Sequence, residues 1–234
     1  MAASPHGPPA PHSDSFAAEL RGFGPLGMAA ILLVALSGTV FRGGFAIPAG
    51  ALIVLLWRHL SDTQWRAIGY VRPKNWALAI GGGAVLGIAL KVAMKALVMP
   101  LFGADPINRS FHYLAGNQGA LPGAIWMMFV AGFGEETVFR GFAFDRLAKL
   151  LGRGVAAKVF TVILTSALFA LAHYSGQGRP GVEQATVVGV AFGTIFARTG
   201  SLPMLMIAHT AFDLTALAII YWNLEWRFAH LIFK

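Results

Sequence analysis

Long apolar segments follow one another along almost the whole chain, and they constrain its fold more than any other feature. The segments between charged residues give seven candidate spans: 22–41, 43–60, 75–101, 119–150, 156–174, 183–198 and 201–223. A helix needs roughly 20 apolar residues to cross the hydrocarbon core of a bilayer. Because backbone groups inside lipid must bond to one another, we expect an all-α, polytopic membrane bundle of about seven to eight transmembrane helices.

Composition supports this reading and excludes several classes of protein. Hydrophobic residues make up 56% of the 234 positions and charged residues only 12%. A chain of this length then has no room for a separate soluble domain. It has no cysteine, so neither a disulfide nor a thiolate metal site can form. The net charge of +8 is spread over short loops without a basic-aromatic motif, so the lipid bilayer, and no nucleic acid, is the expected partner.

Charge and composition also predict the domain limits and the orientation. Residues 1–21 open with a Pro-, Ala-, His- and Ser-rich stretch that we interpret as a disordered N-terminal tail. Residues 22–223 form the bundle, and 224–234 a short C-terminal tail or an interfacial helix. With the N-terminus in the cytoplasm, ten basic residues fall on the cytoplasmic side and five outside. The positive-inside rule favours that orientation.

Three further predictions concern the second span, the small residues and two lysines. The second span, 43–60, is short and contains Pro48, so it could be re-entrant or strongly tilted. Small residues at helix-packing spacing predict close helix contacts: Gly83, Gly87, Ala185, Gly189 and Gly193. Lys91 and Lys95 lie near the far end of the third span, where snorkelling to the interface is preferred over lining a cavity.

Ionisable side chains interrupt three of the apolar segments. They are Glu135, Glu136 and Arg140 in the fourth, His173 in the fifth, and His209 and Asp213 in the seventh. Such groups are expensive within a membrane and usually face a protein interior or a hydrated cavity. Together they form a functional-site hypothesis.

The spacing of these groups permits them to meet. A turn at Gly152-Arg153-Gly154 would make an antiparallel hairpin, in which Glu135 and His173 each lie nineteen residues from Gly154 and so at similar depth. His209 lies eight residues beyond Ser201, or roughly 12 Å into the seventh helix. The depths agree if the second half of the fourth segment, with Asp145, Arg146, Lys149 and Arg153, projects into water.

Within the helices, i,i+4 spacing predicts two pairs. Glu136 and Arg140 can form an ion pair, which leaves Glu135, about 100° around the helix, free to face a substrate. Asp213 can hold the ring of His209 in one orientation.

Each of these residues, taken alone, also has a purely structural explanation. A buried Glu–Arg pair can bridge helices, a lone histidine often only packs, and a His–Asp pair can link helices. Phe169, one turn before His173, is expected to close one side of the site.

Together the groups suit the activation of a water molecule. A carboxylate can accept its proton, imidazoles can hold the water or stabilise an oxyanion, and amide hydrolysis is the natural reaction. No nucleophile elbow and no cysteine is present, so an acyl-enzyme route has no evident nucleophile. A zinc ion is also possible, with Glu135, His173 and His209 as its ligands.

The ordered motifs resemble those of the CAAX-processing and bacteriocin-processing proteins, the CPBP or ABI family. That family includes type II CAAX prenyl endopeptidases and lysostaphin-resistance-like proteins. The resemblance extends over Ala120 to Tyr221 and rests on three stretches: Glu135-Glu136-Thr-Val-Phe-Arg140-Gly141, Phe169-Ala-Leu-Ala-His173 and His209-Thr-Ala-Phe-Asp213.

The resemblance implies an intramembrane endopeptidase with a cavity open to the cytoplasm and to lipid. The short chain and the absence of a eukaryotic-type targeting signal fit a bacterial inner-membrane protein. Its substrate would be a membrane-embedded or lipidated peptide, and it would need no obligatory metal. By the same resemblance, Glu135 would be the general base for water, and Glu136 would orient it. His173 would position the water, and His209 with Asp213 would stabilise the oxyanion. Arg140 would be a structural partner of the glutamates.

Two functions of other classes fit the same residues. A membrane immunity or partner-regulating protein could use the polar cavity only to bind. A proton-coupled transporter could relay protons through Glu135, His173 and His209. Against a transporter, the sequence shows no evident inverted repeats, which transporter folds commonly contain.

Overall fold

The computed structural model describes residues 13–40 and 46–233, and this part of the chain contains helices and no strand. We number the helices α1 (Ser13–Arg21), α2 (Pro25–Val40), α3 (Ala46–Leu60), α4 (Trp76–Leu101), α5 (Leu121–Glu135), α6 (Ala143–Leu151), α7 (Val155–Thr199), α8 (Pro203–Tyr221) and α9 (Glu225–Ala229). A π-helical segment, Glu136–Phe142, joins α5 to α6, and a second one, Met94–Val98, lies within α4.

The seven predicted apolar segments all correspond to helices, and the all-α membrane bundle is confirmed. Three helices, α4, α7 and α8, are long and apolar enough to cross a membrane, and the pair α1–α2, bent by 50°, is a fourth candidate. The predicted seven to eight crossings exceed that number for identifiable reasons. Helix α3 has only 15 residues, α5 ends at the π segment, and α7 covers two predicted spans.

Helix α7 is two antiparallel arms rather than one rod. Its backbone leaves helical geometry at Gly178, whose φ of 61° lies in the left-handed region. A Cβ at Gly189 would lie 3.0 Å from that of Ser166, and one at Gly193 would lie 3.3 Å from Val162. The small residues predicted for helix contact therefore pack residues 155–177 against residues 179–199.

Helices α4 and α8 lie parallel and in close contact. A Cβ at Gly83 would lie 2.7 Å from the carbonyl oxygen of Met204, and a Cβ at Gly87 would overlap the carbonyl oxygen of Ala208. Both positions advance by four residues, so the next turn of α4 faces the next turn of α8. The predicted close contact of these glycines is thus confirmed.

One end of the bundle, which we call the basic end, gathers the turns after α3, α6 and α7. Leu202 donates its N–H to the carbonyl of Gly69 at 2.8 Å, and Arg146 donates to the carbonyl of Arg21 at 2.9 Å. The ten basic residues assigned to the cytoplasm by their charge lie at this end. Asp145 and Arg146 are 7% and 4% exposed and pair with each other, so the expectation that they project into water is wrong for these two residues. Lys149 and Arg153 are exposed, as expected.

The opposite end, which we call the loop end, contains residues 102–120 and α9. Glu225 is 1% exposed, accepts from the N–H of Asn108 at 2.7 Å, and lies 3.4 Å from Lys95 Nζ. Residues 225–229 are therefore a packed helix rather than a short free tail. Lys95 also donates to the carbonyl of Pro106 and is 4% exposed, so it does not snorkel.

The N-terminal region differs from its prediction as well. Residues 1–12 lie outside the described part, but Ser13–Arg21 form helix α1, in the segment predicted to be disordered. Ala17 and Leu20 are buried, and Trp57 Nε1 donates to the carbonyl of Leu20 at 3.0 Å. Burial of this apolar face stabilises the helix.

Replacing Gly87 by Ala should destabilise the bundle by about 1–3 kcal/mol, because the new methyl group would displace the backbone of α8. The matched control is Gly81→Ala in the same helix, where an added Cβ meets nothing within 4 Å. Thermal unfolding of the two variants in the same detergent measures the difference. Equal midpoints would contradict the close α4–α8 contact.

Candidate active site

The acidic and imidazole groups from three helices converge at the end of α5. Oε2 of Glu135 lies 3.5 Å from Nε2 of His209, on α8, and 4.0 Å from Nε2 of His173, on α7. This oxygen is buried and has no hydrogen-bond partner within the described residues. The predicted convergence is therefore present in the structure, with a free carboxylate oxygen aimed at two ring nitrogens.

Glu136 lies behind this group and is fully buried. Its Oε1 accepts from Arg140 Nη1 at 2.8 Å and from His209 Nδ1 at 2.8 Å. The Glu136–Arg140 pair predicted from the spacing is present. Arg140 is 1% exposed, donates to the carbonyl of Gly189 at 3.4 Å, and stacks over Phe169 at 4.7 Å. The guanidinium thus offsets the charge of Glu136 where no water reaches it.

The ring of His173 is oriented by its own helix. Its Nδ1 lies 2.8 Å from the carbonyl oxygen of Phe169, which can only accept, so Nδ1 carries the proton. In the neutral ring, Nε2 then presents a lone pair towards Glu135. Phe169 packs against His173 with ring centroids 4.5 Å apart and against His209 at 6.0 Å. The expected wall of the site is in place.

The predicted i,i+4 pair of His209 and Asp213 is present, with the carboxylate on the cavity side of the ring. Oδ2 of Asp213 lies 3.7 Å from Nε2 of His209. The nitrogen that would be held by an orienting carboxylate, Nδ1, is bonded to Glu136 instead. Glu136 therefore fixes the His209 ring, and Asp213, whose side chain is 21% exposed, faces the cavity.

The π-helical segment determines where the second carboxylate and Arg140 point. Such segments recur at functional sites because they insert one residue into a helical turn and redirect side chains. Thr137 donates to the carbonyl of Phe133 at 2.7 Å, so the hydroxyl of Tyr70, 2.7 Å away, donates to Thr137. This contact fastens the π segment to the loop before α4. Nothing in the sequence indicated this irregularity.

A cavity of about 500 Å³ opens in front of the reactive groups. Glu135, His173, His209 and Asp213 lie on its wall. The remaining walls are mainly apolar and come from the loop before α5, the start of α5 and the end of α8; they include Phe111, Leu114, Ala124, Met127, Leu217 and Ile220. An apolar space with few convergent polar groups is the usual form of a ligand site.

Two cavity residues were missed or misplaced in the sequence analysis. Lys91 is 5% exposed and lines the cavity, so the preference for snorkelling is wrong and the cavity alternative holds. Its Nζ donates to Oε1 of Gln184 at 2.6 Å. The position of Lys91 on the small-residue face of an apolar helix could have indicated this role from the sequence. Nothing in the sequence indicated a role for Gln184.

The cavity extends from the reactive groups towards the loop end. Asn108, Phe111, Tyr113 and Leu114 line it there, whereas the basic residues lie at the other end. With the orientation predicted from charge, this end faces away from the cytoplasm, whereas the resemblance implies a cytoplasmic opening. The α4–α5 loop, which folds between α5 and α8, forms this wall of the cavity, and Gly116 donates to the carbonyl of Tyr221 at 3.0 Å.

The described side chains do not form a metal site. No group of three or more His, Asp or Glu side chains within the described residues is arranged to hold a metal ion. The Nε2 atoms of His173 and His209 lie 4.0 and 3.5 Å from one carboxylate oxygen of Glu135.

Comparison with known proteins adds one finding. Residues 117–215 match the sequence model of a family described as Rce1-like, type II CAAX prenyl endopeptidase Rce1-like. The match covers less than half of the chain but includes Glu135, Glu136, His173, His209 and Asp213. No curated protein and no solved structure matches the chain. The family implies a membrane-embedded peptidase.

Single-cysteine labelling would locate the cavity mouth, since the chain has no cysteine of its own. In spheroplasts, a membrane-impermeant maleimide should react with Tyr113→Cys, at a 64% exposed loop-end site. Arg153→Cys, exposed at the basic end, should react only after permeabilisation, because basic loops remain in the cytoplasm. The reverse pattern would place the mouth on the cytoplasmic side.

Proposed function

We propose that this chain, whose residues 117–215 match the Rce1-like family of type II CAAX prenyl endopeptidases, hydrolyses a peptide bond with a water activated by Glu135. One observation carries the proposal: a buried carboxylate oxygen without a hydrogen-bond partner faces two imidazole nitrogens at the wall of an apolar cavity. Buried polar atoms normally have partners, so an unpaired one at a cavity wall favours a bound water or substrate.

In the first step, Glu135 acts as the general base. A water at its Oε2 gives up a proton to the carboxylate while its oxygen bonds to the carbonyl carbon of the scissile amide. The lone pair on Nε2 of His173 accepts the second hydrogen of that water and fixes its position. The product of the step is a tetrahedral oxyanion and a protonated Glu135.

Nε2 of His209 is placed to stabilise the oxyanion. Nδ1 of the ring is bonded to Glu136, so Nε2, when protonated, donates into the cavity. The negative charge of Glu136 supports the positive ring during this step. Oδ2 of Asp213 lies 3.7 Å from the same nitrogen, beyond hydrogen-bond distance, so Nε2 is free to donate to the oxyanion.

In the second step, the proton held by Glu135 passes to the amide nitrogen. The C–N bond breaks, the amine leaves, and the other product is a carboxylic acid, whose proton then passes to the released amine. Atoms and charges balance without any other reactant. Glu136 and Arg140 take no part in proton transfer; they hold His209 and the π segment in place.

The cavity favours a substrate that enters with an apolar segment or lipid group. Its walls beyond the polar site are lined by methionine, leucine, isoleucine and aromatic side chains. The family description names prenylated CAAX ends, in which a lipidated cysteine lies close to the carboxyl terminus. We therefore include lipidated peptides in the substrate class, together with membrane-embedded ones.

Glu135→Gln should lower kcat/KM by about a hundredfold or more, because the amide cannot accept the proton of water. Cleavage of a lipidated reporter peptide by purified protein in lipid nanodiscs measures it. The control is Glu183→Gln, which removes an acid that pairs with Arg179 outside the cavity and should leave the rate unchanged. Wild-type turnover by Glu135→Gln would contradict the assigned base.

A membrane-permeant zinc chelator should leave cleavage unaffected, because the carboxylate alone activates the water. The assay compares initial rates before and after exhaustive chelation, with a zinc peptidase as the positive control. Loss of activity that added zinc restores would show that Glu135, His173 and His209 hold a metal in the active protein, which would overturn the mechanism.

A further inference from the structure

We propose that Lys91 binds the carboxylate at the free C-terminus of the peptide substrate. The inference rests on the proposed function and adds to it the feature by which substrates are selected. A peptidase with a cation at a fixed place in its cavity would cut at a set distance from the chain end. Neither the family match nor the reaction steps require such a residue.

The pairing of buried cations sets Lys91 apart from the others. Arg140, Arg146 and Lys95 are each buried and each has a carboxylate within 4 Å: Glu136, Asp145 and Glu225 respectively. Lys91 is equally buried, but no carboxylate lies within 4 Å of it in the described part of the chain. Its hydrogen-bond acceptor is a neutral amide, Gln184.

The ammonium group of Lys91 has hydrogen-bond donors that no protein group uses. It carries three N–H donors, and the contact with Gln184 at 2.6 Å occupies one of them. Phe212 lies under it, with the ring centroid 4.8 Å from Nζ, and supplies only a weak cation–π contact. Burying an unpaired charge costs free energy, so an anionic group of a ligand would bind favourably by pairing with the ammonium group.

The surrounding charges leave room for that anion. Asp213, Lys95 and Glu225 act on Lys91 electrostatically, but the last two are paired with each other at 3.4 Å. Asp213 lies against His209, 3.7 Å from its Nε2. Among the carboxylates, Asp213 acts most strongly on Lys91, from more than 4 Å away, so a substrate carboxylate would contact the ammonium group directly while Asp213 stays beside His209.

The helix register gives the distance from this anchor to the reactive groups. Lys91 lies over Phe212, and His209 precedes Phe212 by three residues, a rise of about 4.5 Å along α8. The ammonium group is therefore about one helical turn from His209 along α8. An extended peptide spans about 3.3–3.6 Å per residue, so the scissile bond would lie within a few residues of the C-terminus.

Binding of a matched pair of peptides tests the inference without requiring turnover. The probe is a peptide with a farnesylated cysteine followed by three aliphatic residues, prepared as the free acid and as the C-terminal amide. Glu135→Gln protein in nanodiscs should bind the acid about tenfold to a hundredfold more tightly than the amide. Adding Lys91→Gln should abolish this preference, and Lys91→Arg should retain most of it.

The charge control is Arg109→Gln, which removes one positive charge from an exposed loop-end site and should leave the preference intact. Equal binding of acid and amide by protein with Lys91 intact would overturn the inference, as would a preference that survives Lys91→Gln. If Lys91→Gln does not fold, Lys91→Met removes the charge with a similar volume, and the acid-amide comparison in the intact protein still decides.

Cleavage by the wild-type protein separates this inference from the proposed function. Preferential binding of the acid without cleavage of either peptide would refute the peptidase and support the anchor. Cleavage of both peptides at equal kcat/KM would support the peptidase and refute the anchor. A purely structural role for Lys91 would alter the binding of acid and amide by the same factor.

Discussion

The rest of the structure depends on one buried carboxylate, that of Glu136. It is fully enclosed, and a single oxygen accepts from Arg140 and from His209 at 2.8 Å each. Through these two bonds it joins the π segment to α8, and Arg140 extends the link to Gly189 on α7. Charge-assisted hydrogen bonds are strong where water is excluded, and losing one partner would leave an uncompensated charge. The group therefore holds three helices at one place.

This arrangement separates two neighbouring glutamates into two roles. Glu136 has its charge offset inside the protein, while Oε2 of Glu135, one residue earlier, faces the cavity without a partner. The same contrast recurs among the cations, since Arg140 is paired internally and Lys91 is bonded only to an amide. Charges hydrogen-bonded to an opposite charge support the structure, and those without such a bond line the cavity, where a substrate would meet them.

Much of the site could be predicted because helical geometry is regular. Spacing alone placed Glu135 and His173 at similar depth and paired Glu136 with Arg140, since rise and rotation per residue hardly vary in a helix. Predictions failed where contacts between segments distant in sequence determine which residues are buried. Asp145 and Arg146 are covered by α1, Lys91 lies in the cavity, and residues 225–229 pack through Glu225. No local pattern records what another segment will cover.

The sequence by itself determined that this chain is an apolar helical bundle and which ionisable groups it places within the membrane. Period and hydropathy are local properties, and polar groups in hydrocarbon must find one another. Only the tertiary structure decided that Glu136, rather than Asp213, fixes the His209 ring, that a π turn aims the second glutamate inwards, and that the cavity runs towards residues 108–114. These features depend on side-chain contacts between segments distant in sequence, whose depth and rotation are established by packing.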